Sequence, residues 1–255
     1  MSKLNERASI ELFHLLFLAQ LGQKLDKRRF VLKGGCNLRF FFKSSRYSED
    51  MDLDVQTEPV DLLREKVGGI LNSKSFKQVL QVRGMEIEHI TESKQTETTQ
   101  RWKLGLFFPG GELPVPTKIE FSRRGMGEAV AFESIDPDII QLYGLAPVMT
   151  SHYPVDVAFQ QKVQALISRG ATQARDVFDL HLLLASGLGR NPLKKMNPLD
   201  RENAQAKAMS IDYAMFKSQV VAYLPPEIQG QYDRAFWDTA VLTVVEALGA
   251  GHETG

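Results

Sequence analysis

Lys33-Gly-Gly-Cys-Asn-Leu-Arg39 is followed, after eight residues, by Ser48-Glu-Asp-Met-Asp-Leu-Asp-Val55. Residues 29–33 read as a short strand stopped by Gly34-Gly35, and residues 36–43 as a helix opening directly after the glycine pair. Residues 51–56 read as an alternating strand. In a strand, residues i and i+2 share a face about 6.5–7 Å apart. Asp50, Asp52 and Asp54 are therefore expected to crowd one face, with Met51, Leu53 and Val55 buried on the other. Like charges this close repel unless something neutralises them. Mg²⁺ does so directly, because it takes oxygen ligands and keeps waters that substrate phosphates can replace. The glycines remove side chains where a helix begins, and the N–H groups and dipole there can receive an anion. One element thus offers a phosphate seat and the next offers a metal seat. The competing reading is a glycine turn followed by an acidic edge strand that resists aggregation. The two motifs together, at this spacing and between these elements, favour a site.

Outward from this centre, residues 8–25 read as a helix apolar on more than one face, and residues 59–72 as a helix with Pro59 and Asp61 in its first turn. Strands are expected at 78–91, 98–108 and 115–122, with a turn at 109–114 between the last two. Past Pro137 the pattern turns helical, with helices at 156–169, 173–186, 201–223 and 227–248 and a flexible loop at 187–199. The expectation is an α+β fold. An α/β-type core with a mixed sheet fills 1–150, and an all-helical domain at 151–255 completes the cleft.

Composition narrows the class. The chain has 255 residues, 43% hydrophobic and 24% charged, as in ordinary globular proteins. No apolar run approaches the ~20 residues that span a bilayer. The N-terminus lacks a signal-peptide pattern, and one cysteine excludes an internal disulfide or a multi-cysteine metal site, so a cytoplasmic setting is expected. Basic and acidic residues balance at 31 each, but unevenly: residues 1–48 carry ten Lys/Arg against three acids, and residues 49–61 carry no base at all. A basic arm beside an acidic knot suits a site holding both phosphates and divalent cations.

Gly-Gly, fourteen residues, then Asp-hydrophobic-Asp-hydrophobic resembles the signature of the polymerase-beta-like nucleotidyltransferase superfamily. The fuller string, Phe30-Val-Leu-Lys-Gly-Gly-Cys-Asn-Leu-Arg39 through Arg46-Tyr-Ser-Glu-Asp-Met-Asp-Leu-Asp54, resembles the AbiEii/AbiGii-type toxin nucleotidyltransferases, toxic partners in toxin–antitoxin and phage-defence pairs. Thr117-Lys-Ile-Glu-Phe121 resembles the family strand that brings a third carboxylate to the metal. Gln161-Lys-Val-Gln-Ala-Leu-Ile-Ser-Arg169 and Ala174-Arg-Asp-Val-Phe-Asp-Leu180 resemble its C-terminal motifs. The resemblance covers about residues 28–185. Gly35 and Cys36 stand where the superfamily often has serine, which removes one hydroxyl contact.

The resemblance implies Mg²⁺ or Mn²⁺ on Asp50, Asp52 and Glu120, with Asp54 in reserve because the Asp-x-Asp frame fits twice. It implies a phosphate seat from Lys33, Gly34, Gly35, Arg39, Lys162 and Arg175, and a catalytic set of Asp50, Asp52, Glu120, Lys162 and Asp179. Read from the residues alone, Lys118 and Glu120 share a strand face and could be a plain surface pair. Lys162 and Arg169 share a helical face, Arg175 and Asp179 could form an i,i+4 salt bridge, and Arg39 could pair on the surface. The implied reaction transfers a nucleoside monophosphate from an NTP to an acceptor hydroxyl, with RNA such as tRNA as a candidate acceptor. A cognate antitoxin is implied as partner. Small-molecule nucleotidyl transfer, protein phosphotransfer and a non-catalytic binding module are the alternatives.

Overall fold

The computed structural model describes residues 4–108, 110–124, 129–187 and 196–250. The chain divides into two compact units, Met1–Phe41 with Tyr47–Tyr153 and Phe42–Arg46 with Pro154–Gly255.

The first unit is built on a mixed seven-stranded sheet. Its strands are β1 (Phe30–Lys33), β2 (Asp50–Val55), β3 (Glu86–Gln95), β4 (Thr99–Phe107), β5 (Val115–Ser122), β6 (Ala131–Ser134) and β7 (Met149–His152), in the order β3-β4-β5-β2-β1-β7-β6. β2 lies at the centre, antiparallel to β1 and parallel to β5. Met51, Leu53 and Val55 are fully buried and join Trp102, Ile119 and Phe121 in the core. Helix α1 (Glu6–Lys24) is capped by Asn5, whose side chain accepts from the Ala8 N–H at 2.8 Å. It is apolar nearly all round and is accordingly buried along most of its length.

Helix α2 (Gly34–Phe41) begins on Gly34 itself, not after the glycine pair. Helix α3 (Val60–Asn72) is followed by a departure from the expected pattern: residues 74–82 are helix α4 (Lys74–Val82), and the strand expected from 78 starts only at Glu86. The Ser73 hydroxyl accepts from the Phe76 N–H at 3.2 Å, capping α4. Phe76 and Leu80, four apart, form its buried stripe, while Val82 lies out in solvent. The apolar residues thus follow a helical period that a strand reading ignored. β6 and β7, four residues each and flanking helix α5 (Pro137–Leu142), also escaped the sequence reading.

Within the second unit the described elements are helical: α6 (Val155–Ser168), α7 (Ala174–Ala185), α8 (Pro198–Met209), α9 (Tyr213–Gln219), α10 (Arg234–Gly249) and two 3₁₀ turns, Val221–Tyr223 and Pro226–Gln231. The helix expected over 201–223 is broken in two, because Asp212 caps a new start by accepting from the Met215 N–H at 2.8 Å. Asp233 similarly delays the last helix to Arg234, accepting from the Phe236 N–H at 2.9 Å. Phe216 stacks on Trp237 at 4.4 Å in the core of this unit, and the indole N–H donates to the Ile211 carbonyl at 3.1 Å. Most of the loop expected at 187–199, residues 188–195, lies outside the described residues, as does Pro109 of the expected turn. No described helix is long and apolar enough to cross a membrane.

Candidate active site

The register of the central strands assembles an acidic face. Asp50 is opposite Lys118, and Asp52 is opposite Glu120, in the parallel pairing of β2 with β5. Because β-strand side chains alternate, Asp50 and Asp52 share a face with Lys118 and Glu120. The Lys118 ammonium lies 3.2 Å from Asp50 Oδ2, 3.9 Å from Asp52 Oδ1 and 3.9 Å from Glu120 Oε2. Arg101 of β4, the cross-strand neighbour of Glu120, places Nε 2.5 Å from Glu120 Oε2. Burial raises the Asp52 pKa above the usual carboxylate range; Lys118 opposes that rise, and Asp50 and Glu120 add to it.

Asp54 belongs to a different environment. It is buried, with one oxygen 2.5 Å from Lys33 Nζ and the other accepting from the Tyr153 hydroxyl at 2.7 Å. The side chains of Asp50 and Asp52, by contrast, are 43% and 33% exposed, so a ligand can reach them.

The first residue of α2 is fitted to this face. Gly34 has φ +66°, and a β-carbon there would lie 3.0 Å from Asp52 Oδ2. Only glycine satisfies both conditions without strain. The Asp50 carbonyl accepts from the Ser48 hydroxyl at 2.8 Å and from the Cys36 thiol at 3.3 Å, while Thr117 Oγ1 donates to the Glu49 carbonyl at 2.6 Å. These bonds fix the entry of β2. Burial pushes the Cys36 thiol well up, which leaves it protonated and packing rather than nucleophilic. Arg39 points at Glu11, with Nε 2.6 Å from Oε2, and lies over the Tyr47 ring at 4.9 Å.

A second charged cluster lies within the helical unit. Asp176 and Asp179 of α7 are both fully buried. Lys162 Nζ lies 2.6 Å from Asp179 Oδ2 and 3.7 Å from Asp176 Oδ1; Arg46 Nη2 is 3.3 Å from Asp179 Oδ2, and Arg169 Nε is 2.9 Å from Asp176 Oδ2. Burial alone would raise the Asp179 pKa, but Lys162 and then Arg46 hold it below the usual range. Arg175, half-buried at the start of α7, adds to that field.

Sequence reasoning passed over two of these participants. Lys118 read as half of a surface pair, and Arg101 carried no signal. Only the β2–β5 and β4–β5 registers reveal them. Asp176 lies in the quoted 174–180 motif, three residues before Asp179 and on the same helical face.

The donor set suits a hard divalent cation. Three carboxylates on one sheet face supply oxygens, and they crowd closely enough to require a positive charge. As the side chains stand, no three His, Cys, Asp or Glu among the described residues converge to hold an ion, because this set converges on Lys118.

A search of curated proteins finds no match. Two crystal structures from Helicobacter pylori share the fold: JHP933, at 18% identity and a TM-score of 0.57 over 98% of this chain and 94% of that one, and a protein described as a candidate nucleotidyltransferase, at 18% identity and a TM-score of 0.59 over 98% and 96%. The family model "Nucleotidyl transferase AbiEii toxin, Type IV TA system" matches residues 16–240. With the match spanning most of its length, the chain belongs to the AbiEii nucleotidyl transferase toxin family of type IV toxin–antitoxin systems.

Proposed function

We propose that this chain transfers a nucleoside monophosphate from an NTP to an acceptor hydroxyl, with RNA as the acceptor class, and that Asp50, Asp52 and Glu120 carry the chemistry. The observation behind this reading is the pairing of Asp52 with Glu120 across β2 and β5, with Asp52 packed against Gly34 at the start of α2. What supports the Asp50/Asp52 frame over Asp52/Asp54 is the engagement of Asp54 by Lys33 and Tyr153.

In the reaction, the acceptor oxygen forms a bond to the α-phosphorus, the α–β bridging P–O bond breaks, and pyrophosphate leaves with that electron pair. Mg²⁺ or Mn²⁺ on the three carboxylates would supply charge neutralisation at the phosphates. The backbone N–H groups of Gly34, Gly35 and Cys36, in the first turn of an α-helix, lack intrahelical acceptors and can donate to phosphate oxygens. Glu120 accepts the acceptor's proton as general base. Lys162, anchored by Asp179 and Asp176, and Arg175 are assigned to polyphosphate charge. The basic 1–48 segment supports a polyanionic acceptor such as tRNA. The family's system implies an antitoxin, and a cytoplasmic location is consistent with that pairing.

Incubating the protein with each α-labelled NTP, Mg²⁺ or Mn²⁺ and total cellular RNA, beside Asp52→Ala, tests the proposal. Label entering a discrete RNA band only when Asp52 is present is the expected result. Nucleotide bound without RNA labelling would move the acceptor to a metabolite or protein. Absence of nucleotide binding would return the chain to a binding module.

A further inference from the structure

Lys118 occupies the electrostatic centre of the acidic face. Its ammonium lies within 4 Å of Asp50, Asp52 and Glu120 at once. That point is fixed by register rather than by chance contact: Lys118 is opposite Asp50 and two residues before Glu120 on the same face of β5. Lys118 and Arg101 both pair with this carboxylate set. Arg101 approaches Glu120 from β4, whereas Lys118, among the described residues, is the cation within 4 Å of all three carboxylates.

Lysine suits a temporary occupant. Its charge is compact, it sits on a flexible four-carbon stem, and its head can withdraw without moving the backbone. The side chain is about a quarter exposed (24%), which leaves it a route out. A divalent cation taking oxygens from the same three carboxylates would meet the ammonium at unfavourably short range, since like charges within a few ångströms repel.

We propose that Lys118 is a resident counter-ion, a positioning residue that holds Asp50, Asp52 and Glu120 together in the metal-free protein and competes with the divalent cation for them. This rests on the metal-dependent reading above. Its consequence is that metal loading is weak on the free protein by construction, because the cation must displace an internal positive charge first. Once displaced, the ammonium is freed beside the site that receives the triphosphate, so nucleotide and metal should load together.

Mn²⁺ titration of the nucleotide-free full-length chain, read by the loss of the free-ion paramagnetic signal, tests this without any activity assay. Lys118→Met is expected to bind Mn²⁺ at least about tenfold more tightly than the wild type, the scale of one competing unit charge at this range. Lys118→Arg, which keeps the charge, should stay near the wild-type affinity. Mn²⁺ should also raise the melting temperature of Lys118→Met more than that of the wild type, a shift that a purely structural lysine would not produce. If Lys118→Met fails to fold, Lys118→Gln serves the same comparison. Equal or weaker Mn²⁺ binding in the neutral variant, with binding in the wild type abolished by Asp52→Asn, overturns the counter-ion role and leaves the metal reading standing. No Mn²⁺ binding by any of these proteins overturns the metal reading itself, and the counter-ion role with it.

Discussion

Gly34 and Asp52 are interlocked: the glycine takes a left-handed φ of +66°, and a β-carbon there would lie only 3.0 Å from Asp52 Oδ2. Gly34→Ala meets two penalties, a left-handed φ costing about 1–2 kcal/mol for a residue with a side chain and a close approach to Asp52. The expected outcome is a loss of about 1–3 kcal/mol in urea unfolding, with nucleotidyl transfer falling further than stability alone explains because Asp52 is pushed aside. Gly35→Ala, at a position without a positive φ, should cost less.

Asp52→Ala and Asp54→Ala should separate chemistry from stability. Asp54 is buried and pairs with Lys33 and Tyr153, so its removal strands a cation and a hydroxyl. A loss of about 3 kcal/mol is expected. Asp52 is crowded by Asp50 and Glu120, so its removal relieves repulsion and should leave the urea midpoint nearly unchanged while abolishing transfer. Paired denaturation curves and transfer assays on the two variants check this contrast.

His14 makes stability depend on pH. Its ring is fully buried, Nε2 is 2.9 Å from Thr117 Oγ1, and burial lowers its pKa to about 3. The unfolded chain therefore takes up a proton near pH 6.5 that the folded one refuses until about 3. The stability from this group is complete above pH 6.5 and falls as pH drops through the window between those values, by up to about 1.4 kcal/mol per pH unit. Unfolding free energies measured from pH 7 to 4 should fall more steeply for the wild type than for His14→Gln.

Asp179 acts in a lower window. Its folded pKa is depressed, so its contribution is present above the unfolded value and is lost as pH falls through the folded one. Asp179→Asn should be clearly destabilised at pH 7, by about 3 kcal/mol, because Lys162 and Arg46 lose their buried partner. The gap from the wild type should narrow as pH falls below about 4, the ordinary Asp value at which the unfolded chain takes up this proton, and on down through the depressed folded value. Thermal unfolding of both proteins at pH 7 and pH 3 measures the two gaps.

The acidic strand and the glycine turn were legible because their information is local: a period of two in Asp-Met-Asp-Leu-Asp, and a glycine pair between an apolar run and a helix. Glu120 was reachable through resemblance alone, since nothing in Thr117-Lys-Ile-Glu-Phe121 says which strand lies beside it. The split between Asp54 and its two neighbours was hidden for the same reason. Three identical residues at equal spacing acquire different environments from Lys33, Tyr153 and Lys118, which are distant in sequence. Residues 74–82 misled because Val79 and Val82 lend a helix the look of a strand, and the Ser73 cap outweighs them. Short β6 and β7 lack enough residues for a period to show.

The parallel pairing of β2 with β5 joins Asp52 to a residue 68 positions later in the chain. Parallel strands so far apart form only after a long loop has closed, which is slow compared with local helix formation. A growing polypeptide that has emerged as far as Val115 holds both aspartates and the glycine turn, but neither Lys118 nor Glu120. On the proposed site assignment, this ordering ties competence to completed synthesis: a chain that stops before β5 lacks Glu120 and the parallel partner of β2, and is expected to show no nucleotidyl transfer.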